Sequence, residues 1–276
     1  MSFIANNKGF VLGVFSAFSV MLFPTPESLS PEAHKTAALF LLMGVWWATE
    51  AVPVAVTALV PLALFPILGI VDIQDAASPY SNKTIYLFFG GFLLAIAIQK
   101  WDLHKRIALF VLERAGSNGA SLVLGFMLTA AVISMWVMNT ATTIMLLPIG
   151  LAVVTVVKET VKGLSEKETE NFQLSLLLGI AYGATIGGMS TLIGTGPNGM
   201  LAAFMADNYD LDISFIDWMK VGVPLSAIML PSSWFVLTRI IYPVRFKTSE
   251  ETRALLSSMK EELGEFQGPE VKVFMV

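Results

Sequence analysis

The sequence contains no cysteine, and only 14% of its 276 residues carry a charge. Without cysteine the chain can form neither a disulfide nor a thiolate metal site. A soluble domain usually has about 25% charged residues, so this chain has too few to cover a surface exposed to water. Hydrophobic residues make up 55% of the chain, and its mean hydropathy is +0.71. These values predict an integral membrane protein and argue against a soluble globular domain.

Ionisable groups of the kinds that enzymes use are also scarce. The two histidines, His34 and His104, lie far apart in polar segments, and we predict that each is a solvated surface residue. The sequence offers no nucleophile–base pair and no cluster of metal ligands, so nothing in it argues for an enzyme. The net charge is −4, and no basic run suggests a nucleic-acid partner.

Long apolar runs predict several α-helical membrane spans, since a helix needs roughly 20 residues to cross a bilayer. The first four runs are Gly9–Phe23, Thr36–Thr49, Val54–Ile70 and Thr84–Gln99. Pro53 lies between the second and third runs, and it predicts a break there because proline cannot donate a backbone hydrogen bond. Residues 100–114 mix apolar and basic side chains, which is typical of a helix lying in the membrane interface. An extension of the fourth span is the alternative.

Lysine and arginine are distributed unevenly over the loops between these runs. With the N-terminus in the cytoplasm, only Lys35, Lys83 and Lys220 of the loop lysines fall outside, and most other basic residues fall inside. Because basic residues favour the cytoplasmic side, the pattern predicts a multi-pass protein of the cell (plasma or inner) membrane with a cytoplasmic N-terminus. Most of the tryptophans, including Trp46, Trp218 and Trp234, lie near predicted interfaces, and we interpret them as interfacial belt residues.

The first of two uncharged stretches runs from residue 115 to 157 and is interrupted by polar residues at Met138–Thr143. Basic residues flank both ends, so both ends belong in the cytoplasm. Either a pair of full spans or a re-entrant hairpin with its tip at membrane depth satisfies that condition. The interruption lacks the glycine and proline that an outer turn usually contains. This absence favours a re-entrant hairpin over 115–157.

The second uncharged stretch contains five glycines and one proline within Gly187–Gly199. Such a segment does not hold a continuous helix. In hydrocarbon a break of this kind is tolerated only where it packs against protein or lines a polar cavity. We therefore predict a discontinuous membrane helix over residues 171–207. Close packing between helices is the alternative role for these glycines.

Both interruptions carry hydroxyl and amide side chains instead of charges. Hard cations such as Na⁺ prefer oxygen ligands, and an asparagine amide can donate to a carboxylate. In a broken helix the carbonyl end attracts a cation and the N-terminal end attracts an anion. Together the two interruptions predict a site for a cation and an anion. Their polar residues are Ser134, Asn139, Thr140, Thr142 and Thr143 in the first, and Ser190, Thr191, Thr195 and Asn198 in the second.

Three sequence motifs narrow the function further. They are WWATEAVP at residues 46–53, SMWVMNTAT at 134–142 and GTGPN at 194–198. Together they resemble motifs of the divalent anion:sodium symporter family, whose members transport di- and tricarboxylates. The resemblance covers nearly the whole chain but only the first half of such a transporter. It implies the first of two inverted repeats, with a re-entrant hairpin and a discontinuous helix, in a homodimer that works by an elevator mechanism.

The resemblance also implies which residues bind the substrate and the coupling ion. Those implied at the substrate carboxylate are Asn139, Thr140, Thr195 and Pro197, and those implied at sodium are Ser134, Met138, Asn139, Gly194 and Asn198. Met138 stands where the family usually has serine, so its backbone carbonyl would replace a hydroxyl ligand. The resemblance implies Na⁺ as the coupling ion and no cofactor besides it. The implied partners are a small dicarboxylate, Na⁺ and the lipid bilayer.

We therefore expect a secondary active transporter that moves succinate-like di- or tricarboxylates, with sodium symport as the coupling. A sodium-independent dicarboxylate exchanger and a non-transporting half-length fragment or subunit are the alternatives. The expected organisation has scaffold-type spans and an interfacial helix in 1–114 and a transport-type unit in 115–246, which includes a span at 221–241. A cytoplasmic helix and the start of a truncated further span would fill 247–276.

Overall fold

The computed structural model describes residues 7–114, 118–264 and 268, which are helical with short connections. An isolated antiparallel bridge joins Asn118 to Lys247. The chain divides into two compact units, residues 1–82 and 83–276. This division concerns packing, and the functional boundary predicted at residue 114 stays a prediction. The further span predicted to start at 271–276 lies outside the described residues.

The first unit is built around its first two helices, which pack against each other, and the break that follows them. Its described helices are α1 (Lys8–Leu22), α2 (Pro31–Thr49), α3 (Val54–Ala58), α4 (Val60–Ile67) and α5 (Ile73–Ala77), followed by a 3₁₀ turn at Ser78–Ser81. The Phe10 ring stacks on Trp46 at 4.9 Å, and Trp46 Nε1 donates to the Phe10 carbonyl oxygen at 3.2 Å. Glu50 takes a left-handed conformation (φ 49°) and ends α2. The break predicted between Thr49 and Val54 is confirmed.

The second unit contains the two interrupted stretches. Its described helices are α6 (Lys83–Lys100), α7 (Leu103–Arg114), α8 (Gly119–Ser134), α9 (Asn139–Thr160), α10 (Glu166–Gly188), α11 (Gly196–Tyr209), α12 (Phe215–Phe235), which continues as a π-helical turn over Val236–Ile241, and α13 (Glu250–Glu262). Two helices begin before the residues at which they were predicted to start, 171 and 221. Capping by Ser165 starts α10 in a charged turn, and capping by Ser214 starts α12 before its apolar run.

The chain changes direction between α6 and α7. Asp102 adopts a left-handed conformation with φ 50°, so α7 is not a straight extension of α6. The apolar side of α7 is buried at Leu109 and Leu112. On its polar side, Lys260 Nζ of α13 lies 2.7 Å from Glu113 Oε2. The interfacial position predicted for this helix remains a prediction.

The core of the second unit lies where α8 and α10 pack together. Large side chains such as Phe126 and Phe172 are fully buried there. A stripe of glycine on α10 faces the α8 backbone: a Cβ added at Gly183 would lie 2.5 Å from the Met127 carbonyl oxygen, and one added at Gly187 would overlap the Ala131 carbonyl. Small residues four apart are a common means of close packing between membrane helices. The predicted packing role of glycine therefore applies to this part of the stretch.

The helical composition fits an integral membrane protein. By length and composition, three described segments could cross a membrane: Ile73–Lys100, Asn139–Thr160 and Phe215–Ile241. Shorter apolar helices occupy Lys8–Leu22, Val54–Ile67 and Gly119–Ser134. On α6, Phe89 is 60% exposed and Ile96 58% exposed. Large apolar side chains exposed in such number suit contact with lipid and not with water.

Both histidines are buried, so the prediction that they are solvated was wrong. His34 Nε2 lies 2.8 Å from the Val20 carbonyl oxygen, and His104 Nδ1 lies 3.4 Å from that of Ile98. Burial lowers the pKa of His104, which favours its neutral form. Each imidazole lies against a carbonyl near the end of a helix. The polar residues next to each histidine in the sequence give no sign of this contact, which is why burial was not predicted. Within the described part of the chain, no group of three or more His, Asp or Glu residues could hold a metal ion.

Candidate substrate and cation site

The first interruption is a short connection between α8 and α9. The helix α8 ends at Ser134 and α9 begins at Asn139, so residues 135–138 form the tip. The predicted interruption at Met138–Thr143 was therefore placed too far along the chain. The Met138 carbonyl already accepts the Thr142 N–H at 2.9 Å, and Thr143 Oγ1 donates to the Asn139 carbonyl at 2.9 Å. The Thr143 hydroxyl thus finds its partner within its own helix, and the segment from Asn139 onward is helical.

The second interruption separates α10 from α11. Residues 189–195 connect Gly188 to Gly196, and this confirms that the helical stretch is discontinuous. Thr195 is extended (φ −149°, ψ 146°) and precedes α11. Pro197 is tolerated in the first turn of α11, where its missing N–H would have no partner within the helix. The membrane depth of both interruptions stays a prediction.

The two interruptions lie against each other. A Cβ added at Gly194 would lie 2.9 Å from the Ser134 carbonyl oxygen and 2.5 Å from that of Gly188. A Cβ added at Gly188 would overlap Asn139 Oδ1. Only glycine permits approaches this close. The hairpin tip and the helix break therefore converge on Gly188 and Gly194.

Hydrogen bonds tie the two interruptions together. The fully buried Thr191 donates its hydroxyl proton to the Met135 carbonyl at the hairpin tip. The Thr191 hydroxyl oxygen in turn accepts the Gly194 N–H at 3.1 Å. Asn198 Nδ2 donates to the Gly188 carbonyl at 2.9 Å and to the Thr191 carbonyl at 2.8 Å. The carbonyls that the broken helix frees thus find side-chain partners, as buried backbone groups require.

The helix α12 holds the other side of the break. Trp218 Nε1 donates to the Met189 carbonyl at 2.9 Å, and Ser226 Oγ donates to the Ile186 carbonyl at 2.8 Å. A Cβ added at Gly222 would lie 2.6 Å from the Met189 carbonyl oxygen, so the two backbones touch. The belt interpretation of Trp218 is incomplete, because its indole bonds to protein. The same holds for Trp46 and Trp234, whose indoles donate to backbone carbonyls.

Neutral oxygen atoms gather where the two interruptions meet. Ser134 Oγ donates to Asn139 Oδ1 at 2.7 Å. Among the described residues, no hydrogen bond reaches the Ser134 carbonyl oxygen, which lies beside Gly194 as the Gly188 carbonyl does. Carbonyl, amide and hydroxyl oxygens are the donors that a hard cation prefers. This donor set fits a sodium ion.

The residues predicted to bind sodium divide into two groups. Ser134, Gly194 and Asn198 are buried and Asn139 is half-buried, and all four lie around Gly188. Met138 differs, since its side chain is 54% exposed and its carbonyl already accepts the first hydrogen bond of α9. An oxygen with two lone pairs can still accept a second interaction. A sodium role for these residues remains a prediction.

The residues predicted to bind the carboxylate lie at two helix N-termini. Asn139 and Thr140 open α9, while Thr195 and Pro197 lie at the start of α11. Neither helix has a side-chain cap. The helices α1, α3 and α4 also lack one, whereas six other described helices are capped by Ser30, Asp72, Asn118, Ser165, Ser214 and Ser249. Uncapped N–H groups give a helix N-terminus a partial positive charge that attracts an anion.

The two interrupted stretches contain no fixed charge. Residues 118–157 and 171–206, which supply both interruptions, contain no Asp, Glu, Lys, Arg or His. A carboxylate bound here would be balanced by helix ends and by a bound cation, because no basic side chain is available in these segments. An arrangement of this kind makes binding of the anion and the cation mutually favourable.

Sequence reasoning did not assign roles to several residues that build the site. Thr191 was predicted only as one of the polar residues of the second interruption, and Gly188 lies in the same glycine-rich segment without a predicted partner. Trp218, Gly222 and Ser226 belong to α12, which was predicted only as a later span. A polar residue within an otherwise apolar helix, such as Ser226, was the available signal. Its partner, the Ile186 carbonyl, is 40 residues away.

Comparison with known proteins agrees with the motifs. The pattern of the sodium:sulfate symporter transmembrane region matches residues 5–276. The chain is 35% identical over 269 residues to the sodium-dependent dicarboxylate transporter SdcS of Staphylococcus saprophyticus, which covers 97% of this chain and 52% of that protein. It is also 35% identical over 260 residues to SdcS of Staphylococcus aureus strain USA300, covering 94% and 50%.

The chain spans about half the length of these curated relatives. The family and the relatives are transporters and not enzymes. A family match over nearly the whole sequence agrees with the motifs at residues 134–142 and 194–198. The chain therefore belongs to the sodium:sulfate symporter family, the divalent anion:sodium symporters that its motifs predict.

Proposed function

We propose that this chain supplies the first half of a secondary active transporter that moves dicarboxylates across the membrane by sodium symport. The observation that carries the proposal is the convergence of two helix interruptions on Gly188 and Gly194. Neutral oxygens suited to sodium and two uncapped helix N-termini suited to a carboxylate lie together there. The names of the staphylococcal relatives, sodium-dependent dicarboxylate transporters, support the choice of ion and substrate.

Different residues would bind the cation and the anion. The Ser134 carbonyl, Asn139 Oδ1 and the backbone around Gly194 would hold sodium. Thr140, Thr195 and the first turns of α9 and α11 would hold the carboxylate. Sodium would supply the positive charge that these segments lack, so the dianion binds well only when the cation is present. This dependence is the physical basis of symport.

Further features of the family belong to the same proposal. The complete transporter would be a homodimer in which each protomer contains two inverted repeats and has its N-terminus in the cytoplasm. Residues 115–246, with a re-entrant hairpin, would move as an elevator against scaffold spans in 1–114. Succinate is the substrate that we propose to test first, because it is the simplest saturated four-carbon dicarboxylate.

Uptake measurements test the function directly. The protein that carries these residues would be reconstituted in proteoliposomes, and uptake of labelled succinate compared under an inward sodium gradient and with choline. Symport predicts uptake with sodium only. Equal uptake without sodium into vesicles preloaded with succinate would favour the exchanger. No uptake under any condition would refute succinate transport.

The Asn139→Ala variant tests the site. Its amide lies between the hairpin tip and Gly188, so we expect uptake to fall below one tenth of the native rate while expression is retained. The Asn208→Ala variant is a matched control, because Asn208 is exposed and bonds to Phe204 of its own helix. Native uptake by the Asn139 variant would remove this residue from the proposed site.

A non-transporting membrane subunit is the second candidate, and it differs from the first in ligand binding. It predicts that sodium and succinate leave the thermal stability of the purified chain unchanged. A ligand that binds the folded state must stabilise it. A rise in melting temperature with sodium, but not with choline, would therefore exclude this candidate.

A further inference from the structure

The Thr191 side chain joins the two interruptions by a direct hydrogen bond at the hairpin tip. Its hydroxyl donates to the Met135 carbonyl and accepts the Gly194 N–H at 3.1 Å. The residue is fully buried, and its partner Met135 lies 56 positions away in the sequence. One hydroxyl thus holds both the tip and the loop of the break.

We propose that Thr191 is a positioning residue that sets the sodium affinity of the site, an inference that rests on the proposed function. The Met135 carbonyl follows the Ser134 carbonyl directly along the chain. Fixing Met135 therefore fixes the peptide that presents the Ser134 oxygen. The Gly194 N–H, held by the same hydroxyl, fixes the loop beside which that oxygen lies. Thr191 does not contact the ion in this scheme but orients groups that do.

The hydroxyl can be removed without releasing the backbone of the break. Asn198 Nδ2 donates to the Thr191 carbonyl and to the Gly188 carbonyl, and Trp218 Nε1 holds the Met189 carbonyl. These bonds do not involve the Thr191 side chain. Loss of the hydroxyl should therefore loosen the hairpin tip relative to the break while the fold persists.

A looser tip should weaken the binding of sodium more than it affects succinate binding or the transport rate. The sodium ligands come from both sides of the joint, and each must be brought into position when the hydroxyl no longer holds it. The loss of one net hydrogen bond corresponds to roughly a tenfold change in an equilibrium constant. At saturating sodium the ion itself restores the geometry, so the maximal rate and the KM for succinate should change little.

Three variants test this inference in the reconstituted protein. Thr191→Val removes the hydroxyl at nearly constant volume, and Thr191→Ser keeps it. Thr155→Val is the matched control, since Thr155 is exposed and donates to Leu151 of its own helix. We expect the sodium KM to rise about tenfold in Thr191→Val, with little change in the other two variants. The maximal rate should stay within twofold of native.

A second measurement separates failure of this inference from failure of the proposed function. Thermal stability of the purified protein, titrated with sodium chloride against choline chloride, gives a sodium midpoint without transport. No sodium response in the native protein would count against the proposed function. A native midpoint in Thr191→Val, or an equal shift in Thr191→Ser, would overturn the role of Thr191.

A structural role would show a different pattern. It predicts a lower maximal rate and lower stability in Thr191→Val with an unchanged sodium KM, and that result would also overturn the inference. Where Thr191→Val gives no folded protein, the sodium midpoint of Thr191→Ala decides. A midpoint within twofold of native would then refute the proposal, and a rise of about tenfold would support it.

Discussion

Two asparagines flank Gly188 and contribute through opposite ends of their amides. Asn139 presents Oδ1 to the Ser134 hydroxyl. Asn198 is buried and directs Nδ2 at two carbonyls. Because a carbonyl can only accept, the nitrogen assignment of Asn198 follows from its partners. The first asparagine is thus suited to a ligand, and the second holds the break together.

This difference predicts a stability defect for Asn198→Asp. An ionised aspartate has the shape of asparagine but no proton to donate, so both carbonyls lose their partner and face a negative charge. We expect destabilisation of about 2 kcal/mol, or roughly 5 °C in melting temperature. Thermal unfolding in detergent measures it. Asn208→Asp on the exposed end of the same helix should melt like the native protein, and an equal melting temperature for Asn198→Asp would contradict the assignment.

At this scale the sequence identified candidates and not their partners. Asn139, Gly194 and Asn198 stood out as polar or flexible residues in apolar stretches. Thr191 looked no different from the other hydroxyls nearby. What distinguishes it is a carbonyl 56 positions away, and contacts at that separation depend on how helices pack. Burial of His34 escaped prediction for the same reason.

At the scale of elements, backbone contact between α8 and α10 positions both interruptions. The glycines of α10 place its axis directly on α8, which ends at the hairpin tip. The helix α10 ends at Gly188, one residue after Gly187, so the break that follows it lies beside that tip. Close packing and the site therefore share one cause, and the packing role of these glycines supports their functional role.

A methyl group at Gly187 should separate the two helices. Its Cβ would overlap the backbone of Ala131, which has no flexible end to move aside. Overpacking of a core typically costs about 1–3 kcal/mol, and we expect Gly187→Ala to lower both the melting temperature and the yield of monodisperse protein. Gly90→Ala on α6 is the control, because beyond its chain neighbours and its own helix backbone no atom lies within 4 Å of the added Cβ. Equal yields for the two variants would argue against backbone contact.

At the scale of the whole molecule, the absence of cysteine makes the topology directly testable. Each single cysteine introduced into this chain is the only thiol. Lys167, with a side chain 78% exposed, lies before the second interrupted stretch, and Leu211, 50% exposed, lies after it. The orientation predicted from lysine and arginine places the first inside and the second outside.

A membrane-impermeant maleimide applied to intact cells should therefore label Leu211→Cys and spare Lys167→Cys. Lysed cells, in which both should react, are the control for accessibility. Labelling of the Lys167 variant alone would reverse the proposed orientation. The unsubstituted chain, whose 276 residues contain no cysteine, should remain unlabelled throughout.

The same reagent tests the hairpin. Met138 is 54% exposed at the tip. If the hairpin is re-entrant, Met138→Cys lies at membrane depth and should react more slowly than Leu211→Cys from outside. Reaction as fast as that of the Leu211 variant would indicate two full spans with an outer turn. Both arrangements fit the helix lengths, because α8 is about 24 Å long by its 16 residues and α9 is longer.

The sequence by itself determined the class of protein, the discontinuity of the second stretch and the family. Each of these follows from local chemistry: the scarcity of charge, the effect of glycine and proline on a helix, and the spacing of short motifs. Tertiary structure alone decided that the hairpin tip meets the helix break, that Thr191 bridges them and that α12 closes the far side. These facts depend on backbones approaching closely across dozens of residues, and no local pattern encodes which surfaces will meet.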